Sequence, residues 1–216
     1  MKKKRNIILC IILTAFSILY TILVKIVDVK GIGPKNSKVG FSTLNNSFKG
    51  IVGSNMTLYK ITEILGLLVF IICIFYGVIG IYQLIKRKSI KKVDKEIILM
   101  GAFYILVLLV YAFFEKVTIN YRPILIDGIL EASYPSSHTI LSICVCTSSF
   151  IISSKYINKK YLNFVNVSTF VLMLLVLIGR LISGVHWLSD IIGGIIISIT
   201  LIMYFITVDN YIKKGE

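Results

Sequence analysis

Apolar runs of about 20 residues recur along this chain, and each is long enough to cross a bilayer as a helix. They cover residues 6–27, 61–85, 97–114, 138–154, 164–183 and 191–208. Six such runs in 216 residues leave little chain from which to build a water-soluble core. A backbone in hydrocarbon must satisfy its own hydrogen bonds, so the expected fold is all-α, an integral membrane bundle of six transmembrane helices. The hydrophobic fraction of 56% and a mean hydropathy of +0.88 agree with that reading. One domain is expected over residues 1–216, with the basic start and the first run read as an uncleaved span.

The net charge of +14 raises nucleic acid as a partner, but the placement of the charge argues against it. Lysines and arginines stand in short clusters between the runs, without a basic stripe carrying interleaved aromatics. That is the pattern of loops sorted by the positive-inside rule. It places residues 2–5, 86–95, 155–160 and 213–214 in the cytoplasm, with both termini there. Segments 115–137 and 183–190 then face outward together, in a cell membrane. Anionic lipid headgroups and an anionic substrate are the expected partners. The polar segment 28–59 is the one long loop, and it also faces outward. Its apolar side chains Val39, Phe41, Leu44, Phe48, Ile51 and Val52 are candidates for the membrane interface. Cys10, Cys73, Cys144 and Cys146 lie inside apolar runs and read as packing residues, not as a disulfide framework or a zinc site.

The two outward segments concentrate the scarce ionisable groups. The only two histidines, His138 and His186, stand at the edges of spans, near Lys116, Arg122, Arg180 and Asp190. Ionisable residues gathered at one membrane depth are a functional signal. Arg122 and Arg180 can meet phosphate oxygens with paired N–H donors. Ser136 and Ser137 precede a helix start, where free backbone N–H groups favour an anion. His186 and Asp190, spaced i and i+4, would let the carboxylate hold one imidazole nitrogen and free the other. Trp187 and Tyr121 read as interfacial belt residues, and Asp127 and Glu131 as solvated loop.

Three stretches carry a resemblance: Lys116 through Arg122-Pro123, Pro135-Ser136-Ser137-His138, and Gly179-Arg180 through His186 to Asp190. In order and spacing they resemble the motifs K-x6-R-P, P-S-G-H and S-R-x5-H-x3-D of the type-2 phosphatidic acid phosphatase family. The resemblance runs from about residue 97 to the C-terminus. It implies metal-independent hydrolysis of a lipid phosphate or diphosphate, without a cofactor. His186 would be the nucleophile forming a phosphohistidine, with Asp190 behind it and His138 as the acid and base. Arg122, Arg180, Ser136, Ser137 and Lys116 would bind phosphate. Undecaprenyl diphosphate, phosphatidic acid and phosphatidylglycerol phosphate are candidate substrates, drawn sideways from the outer leaflet. The abundance of Ile, Lys and Asn fits a low-GC bacterium and favours the first. A non-catalytic lipid-phosphate binder or transporter, and a lipid phosphotransferase, are the other readings of the same pattern.

Three positions depart from the family's pattern. Five residues, not six, separate Lys116 from Arg122, which turns Lys116 by about 100° on a helix. Ser137 stands in place of a glycine, and Gly179 in place of a serine.

Overall fold

A computed structural model describes residues 2–213; Met1, residues 214–216 and the side chains of Lys2 and Lys3 lie outside what is described. Seven α-helices follow one another: α1 Lys2–Ile26, α2 Ser42–Val52, α3 Met56–Arg87, α4 Lys95–Lys116, α5 Ser137–Tyr156, α6 Lys159–Ile182 and α7 Leu188–Ile212. All but α2 are long and apolar enough to span a membrane. The all-α, six-span expectation therefore holds. At 32 residues, α3 is about 48 Å long, so it outreaches a hydrocarbon core of about 30 Å unless it tilts or projects.

The helices divide by burial. About half of the spanning residues of α5 and α7 are buried, against fewer than a quarter in the other four spans. α5 packs against α3, α4, α6 and α7, and α7 also receives α1 and α2. Large apolar residues such as Ile11, Leu67, Leu109 and Phe164 point outward, where lipid replaces water as their solvent. The main apolar core joins α3, α4, α5 and α7 through Tyr76, Met100, Phe103, Cys144, Leu201 and Phe205. Cys144 and Cys146, two residues apart, serve separate core clusters, and all four cysteines are free. This core runs from Val93 and Ile97 at the lysine-rich end to Ile140 beside His138 at the other.

Two connections at that end differ from the sequence expectation. The segment 28–59 is not simply a loop, because it contains α2 and the first turn of α3. Leu44 and Ile51 are exposed, as an interfacial helix requires, but Val39 is fully buried beside Val24 of α1. A Cβ on Gly40 would lie 1.5 Å from the Val24 carbonyl oxygen, so only glycine allows the loop this approach. The second difference is a small hairpin within residues 120–133. Tyr121 bridges to Ala132 and Ile126 to Ile129, and Asp127 and Gly128 both take positive φ between them. An Asp-Gly pair at the tip is the chemistry of a type I′ turn.

Candidate active site

The first two elements of the site are backbone constructions. Ser136 caps the N-terminus of α5, and Ser137 and His138 form its first turn. Gly194 lets that turn approach α7, since a Cβ there would stand 3.0 Å from Thr139. Gly193 likewise lets the Tyr134 ring lie against α7, with the Tyr134 hydroxyl 2.8 Å from Thr21 of α1. The Ser136 N–H donates to the Asp190 carbonyl at 3.1 Å, so it does not face an anion. Ser136 is fully buried, whereas Ser137 lines the cavity beside His138 and His186. Of the two serines, Ser137 is the one presented to a ligand.

His186 is not on a helix with Asp190, as its spacing had suggested. It precedes α7, whose N-cap is Trp187, in a turn where Gly184 has φ +64°. Its Nδ1 stands 3.0 Å from the carbonyl oxygen of Ser133, at the end of the hairpin. A carbonyl only accepts, so this contact puts the proton on Nδ1 and leaves the Nε2 lone pair free. The Asp190 carboxylate lies 4.0 Å from Nδ1, beyond hydrogen-bonding distance. Asp190 instead accepts from the Trp187 N–H at 3.0 Å and from Asn120 Nδ2 at 3.1 Å. It thus caps α7 and ties it to the hairpin.

A second layer fixes that arrangement. Asn45 of α2 donates to Ser189 Oγ and accepts from the Ser189 N–H. Asn120 accepts from the Gly40 N–H. Lys49 of α2 donates to the carbonyls of Gly53 and Gly184, at 2.8 and 2.6 Å. The segment between α1 and α3 therefore clamps the turn that carries His186. Trp187 is 3% exposed and donates to the Tyr121 carbonyl, so it is a structural anchor and not an interfacial belt residue.

The arginines converge from two sides. Arg180, in the last turn of α6, has no exposed side-chain surface, and Arg122 enters from the hairpin. Both guanidinium groups lie over the Tyr59 ring, at 4.9 and 5.9 Å from its centroid. Each arginine also meets a carboxylate. Arg122 Nε is 3.0 Å from Glu131, which is therefore an ion-pair partner and not simply solvated loop. Arg180 Nη2 donates to Glu63 of α3. Arg180 Nε and Nη1, Arg122 Nη1 and His186 Nε2 are buried without a hydrogen-bond partner. An unpaired buried donor costs about 1–3 kcal/mol, and nitrogens of both guanidinium groups carry that cost here. Burial first, then the positive charges of Arg122 and Arg180, holds the His186 imidazole well below its usual range. The imidazole is therefore neutral near pH 7.

Arg122 and His186 open onto a cavity of about 240 Å³. Arg122, Ser137, His138 and His186 line its polar end, while Phe70, Val107, Leu108 and Leu141 line its apolar walls. The structure thus brings together His138, His186, Asp190, Arg122, Arg180 and Ser137. Lys116 ends α4, is exposed and does not line the cavity. The neighbouring Glu115 lines the cavity instead. Sequence reasoning did not single out Glu63, Tyr59, Asn120 or Ser133. A carboxylate within the apolar start of α3 was a usable signal for Glu63, and Asp127-Gly128 was one for the hairpin that places Ser133. Asn120 carries no comparable mark.

Fold and site define a polytopic membrane protein whose bundle holds a histidine–arginine cluster at one end. Residues 98–214 match the PAP2 superfamily, and the chain belongs to it. The fold is similar to the crystal structure of a transmembrane PAP2-type phosphatidylglycerolphosphate phosphatase from Bacillus subtilis. The two share a TM-score of 0.61 and 17% identity over 96% of this chain and 98% of that one. A search of curated proteins gave no match. The lipid phosphatase fold is thereby established.

Proposed function

We propose that this protein hydrolyses a terminal phosphate from a membrane lipid at the outer membrane face, as a single domain, through a phosphohistidine. The observation that carries the reading is a cavity with apolar walls lined by Arg122, His138 and His186, with the buried, unpartnered Arg180 nitrogens beside Arg122 over the Tyr59 ring. A phosphate dianion satisfies the guanidinium N–H donors and presents its phosphorus to the His186 lone pair, and a hydrocarbon chain suits the walls formed by α3, α4 and α5. At about 240 Å³ the cavity admits a headgroup and its first methylenes, so the rest of the chain stays in the bilayer.

The residues divide the work. The free lone pair of His186 Nε2 attacks phosphorus, forming an N–P bond as the bond from phosphorus to the lipid oxygen breaks. The leaving oxygen keeps that electron pair and takes a proton from His138. His138, now neutral, removes a proton from the water that cleaves the N–P bond, releasing phosphate and restoring His186. Arg122 and Arg180 hold the equatorial oxygens through both steps, where charge is spread over them. Asp190 and the Ser133 carbonyl offset the positive charge that develops on the imidazole. Nothing in this scheme draws on a metal or cofactor.

Lysine-rich connections lie at the end opposite the site, at residues 86–95 and 155–160, which supports cytoplasmic termini and an outward site. The candidate substrates are phosphatidylglycerol phosphate, phosphatidic acid and undecaprenyl diphosphate, the first being named for the similar Bacillus subtilis structure. Detergent-purified protein in EDTA is expected to release phosphate from at least one of these lipids, and His186→Ala is expected to abolish it. Normal turnover by His186→Ala would refute the scheme, and no release from any lipid would refute the hydrolase.

A further inference from the structure

α3 lies outside the segment that matches the family, yet one face of its first turns forms a wall of the site. Tyr59, Thr62, Glu63 and Gly66 stand at i, i+3, i+4 and i+7, the spacing of a single helical face. Tyr59 carries both guanidinium groups. Thr62 packs against Gly179, where a Cβ would lie 2.4 Å from its methyl group; the family's serine at that position has no room here. Gly66 makes space for His138, since a Cβ there would stand 2.7 Å from the imidazole. Glu63 lies between these contacts. One of its oxygens accepts from Arg180 Nη2, and the other is 3.6 Å from His138 Nε2.

Those are two of the groups that the proposed reaction directs at phosphate. The Glu63 carboxylate spans them with two oxygens, much as a phosphate group would. Its side chain is 43% exposed, so it can turn toward solvent, while Arg180 is enclosed and cannot follow. Arg180 keeps Nε and Nη1 unpartnered, but each forms a two-donor edge only together with Nη2, the nitrogen that Glu63 holds. The other charged neighbours are Arg122 on the hairpin and its partner Glu131.

We propose that Glu63 is a positioning and specificity-determining residue, an internal anion that a phosphate must displace from Arg180 to be bound productively. The inference rests on the lipid phosphatase reading of the site. Displacement sets a threshold of charge. A terminal phosphate is a dianion with three free oxygens and can engage Arg122 together with a two-donor edge of Arg180 that includes Nη2. A phosphodiester is a monoanion with two free oxygens, one of its others being capped by a second ester. It competes poorly with a carboxylate already in place. Ordinary bilayer phospholipids are phosphodiesters at high local concentration, so the device keeps the site clear of the membrane around it. Once displaced from Arg180, Glu63 remains beside His138 and supports its protonated form for the leaving oxygen.

The test uses the full-length protein in detergent. Trp187 is the only tryptophan and adjoins His186, so its fluorescence reports binding of inorganic phosphate and of dimethyl phosphate. Wild type is expected to favour inorganic phosphate strongly. Glu63→Gln is expected to bind both anions more tightly, dimethyl phosphate by about tenfold and inorganic phosphate by less, so the preference narrows. With the best lipid, KM is expected to fall together with kcat, and dioleoylphosphatidylglycerol is expected to become an inhibitor. Glu63→Asp, which keeps the charge, is expected to restore the preference in part, and thermal melting confirms that both variants are folded. Unchanged affinities and preference in Glu63→Gln would overturn the inference. Binding without hydrolysis by wild type would refute only the enzymatic reading. Binding of phosphate by neither protein would overturn both.

Discussion

Both ends of the bundle join basic side chains to carboxylates, but the joins differ in what they leave open. At the lysine-rich end, Asp94 accepts from Arg87 at 2.7 Å, Gln83 at 2.9 Å and Tyr156 at 3.1 Å, and its N–H donates back to Gln83. Lys155 meets both oxygens of Glu96, at 2.7 and 2.8 Å. These contacts staple the α3–α4 turn to the end of α5. At the other end the arginines carry one carboxylate each and retain buried nitrogens without partners. A saturated ion pair holds helices together. An ion pair with spare buried donors has desolvation left uncompensated, and a ligand can supply the difference. The same residue types are structural at one end and prepared for binding at the other.

The largest expected effect that separates the ends is on catalysis. Arg180→Gln, which keeps an amide beside Glu63, is expected to lower kcat/KM by about 10²–10³ fold, the usual loss of one charged transition-state contact. Loss below about tenfold would mean that the two ends are not functionally distinct. The reciprocal change is Asp94→Ala, expected to leave kcat/KM within about twofold while lowering stability by about 1–2 kcal/mol. That figure is held low because Arg87 is 40% exposed and solvent screens the pair. A matching drop in activity would show that the lysine-rich end reaches the site.

A smaller effect comes from His186 and pH. Its folded-state proton affinity is depressed by burial first and by neighbouring cations second, while in the unfolded chain it titrates near pH 6.5. Above that pH both states are neutral and His186 adds no pH dependence. As pH falls below about 6.5, only the unfolded state takes up the proton, so stability declines by up to about 1.4 kcal/mol per pH unit. His186→Asn is expected to remove that part of the slope in thermal melts followed from pH 7 to pH 5. An unchanged slope would show that the imidazole is already charged in the folded protein. The smallest effect is expected at Lys116. It is exposed and turned away from the cavity, so Lys116→Ala should change kcat/KM by less than about twofold. A loss of tenfold or more would mean that this lysine reaches phosphate after all.

How much of this was legible depended on the range of the interaction. The spans were readable because hydrophobic length is a local property that bilayer thickness converts directly into a helix. Arg122, His138, Arg180 and His186 were readable because scarce ionisable groups recur at fixed spacings beside span edges. The partner of His186 was not, because i, i+4 spacing implies a continuous helix. Here α7 starts after His186, and the Ser133 carbonyl takes the contact assigned to Asp190. Trp187 was misread for a related reason: an aromatic at a span edge looks interfacial until another segment, here the hairpin at Tyr121, closes over it. Backbone acceptors such as Ser133 O carry no side-chain signature at all.

By itself, then, the sequence determined the class of fold, the number of spans and the motif residues, since each follows from composition and spacing within short windows. Tertiary structure alone decided which nitrogen of His186 is free, that Ser136 and Lys116 are turned away from the cavity, and that α2 clamps the His186 turn. It also decided that Glu63, 117 residues from Arg180 in the chain, stands as the anion in that arginine's grasp. Those outcomes depend on the rotation and depth at which separate helices meet. Packing of small residues such as Gly66, Gly179, Gly193 and Gly194 sets both, and no local window of sequence records them.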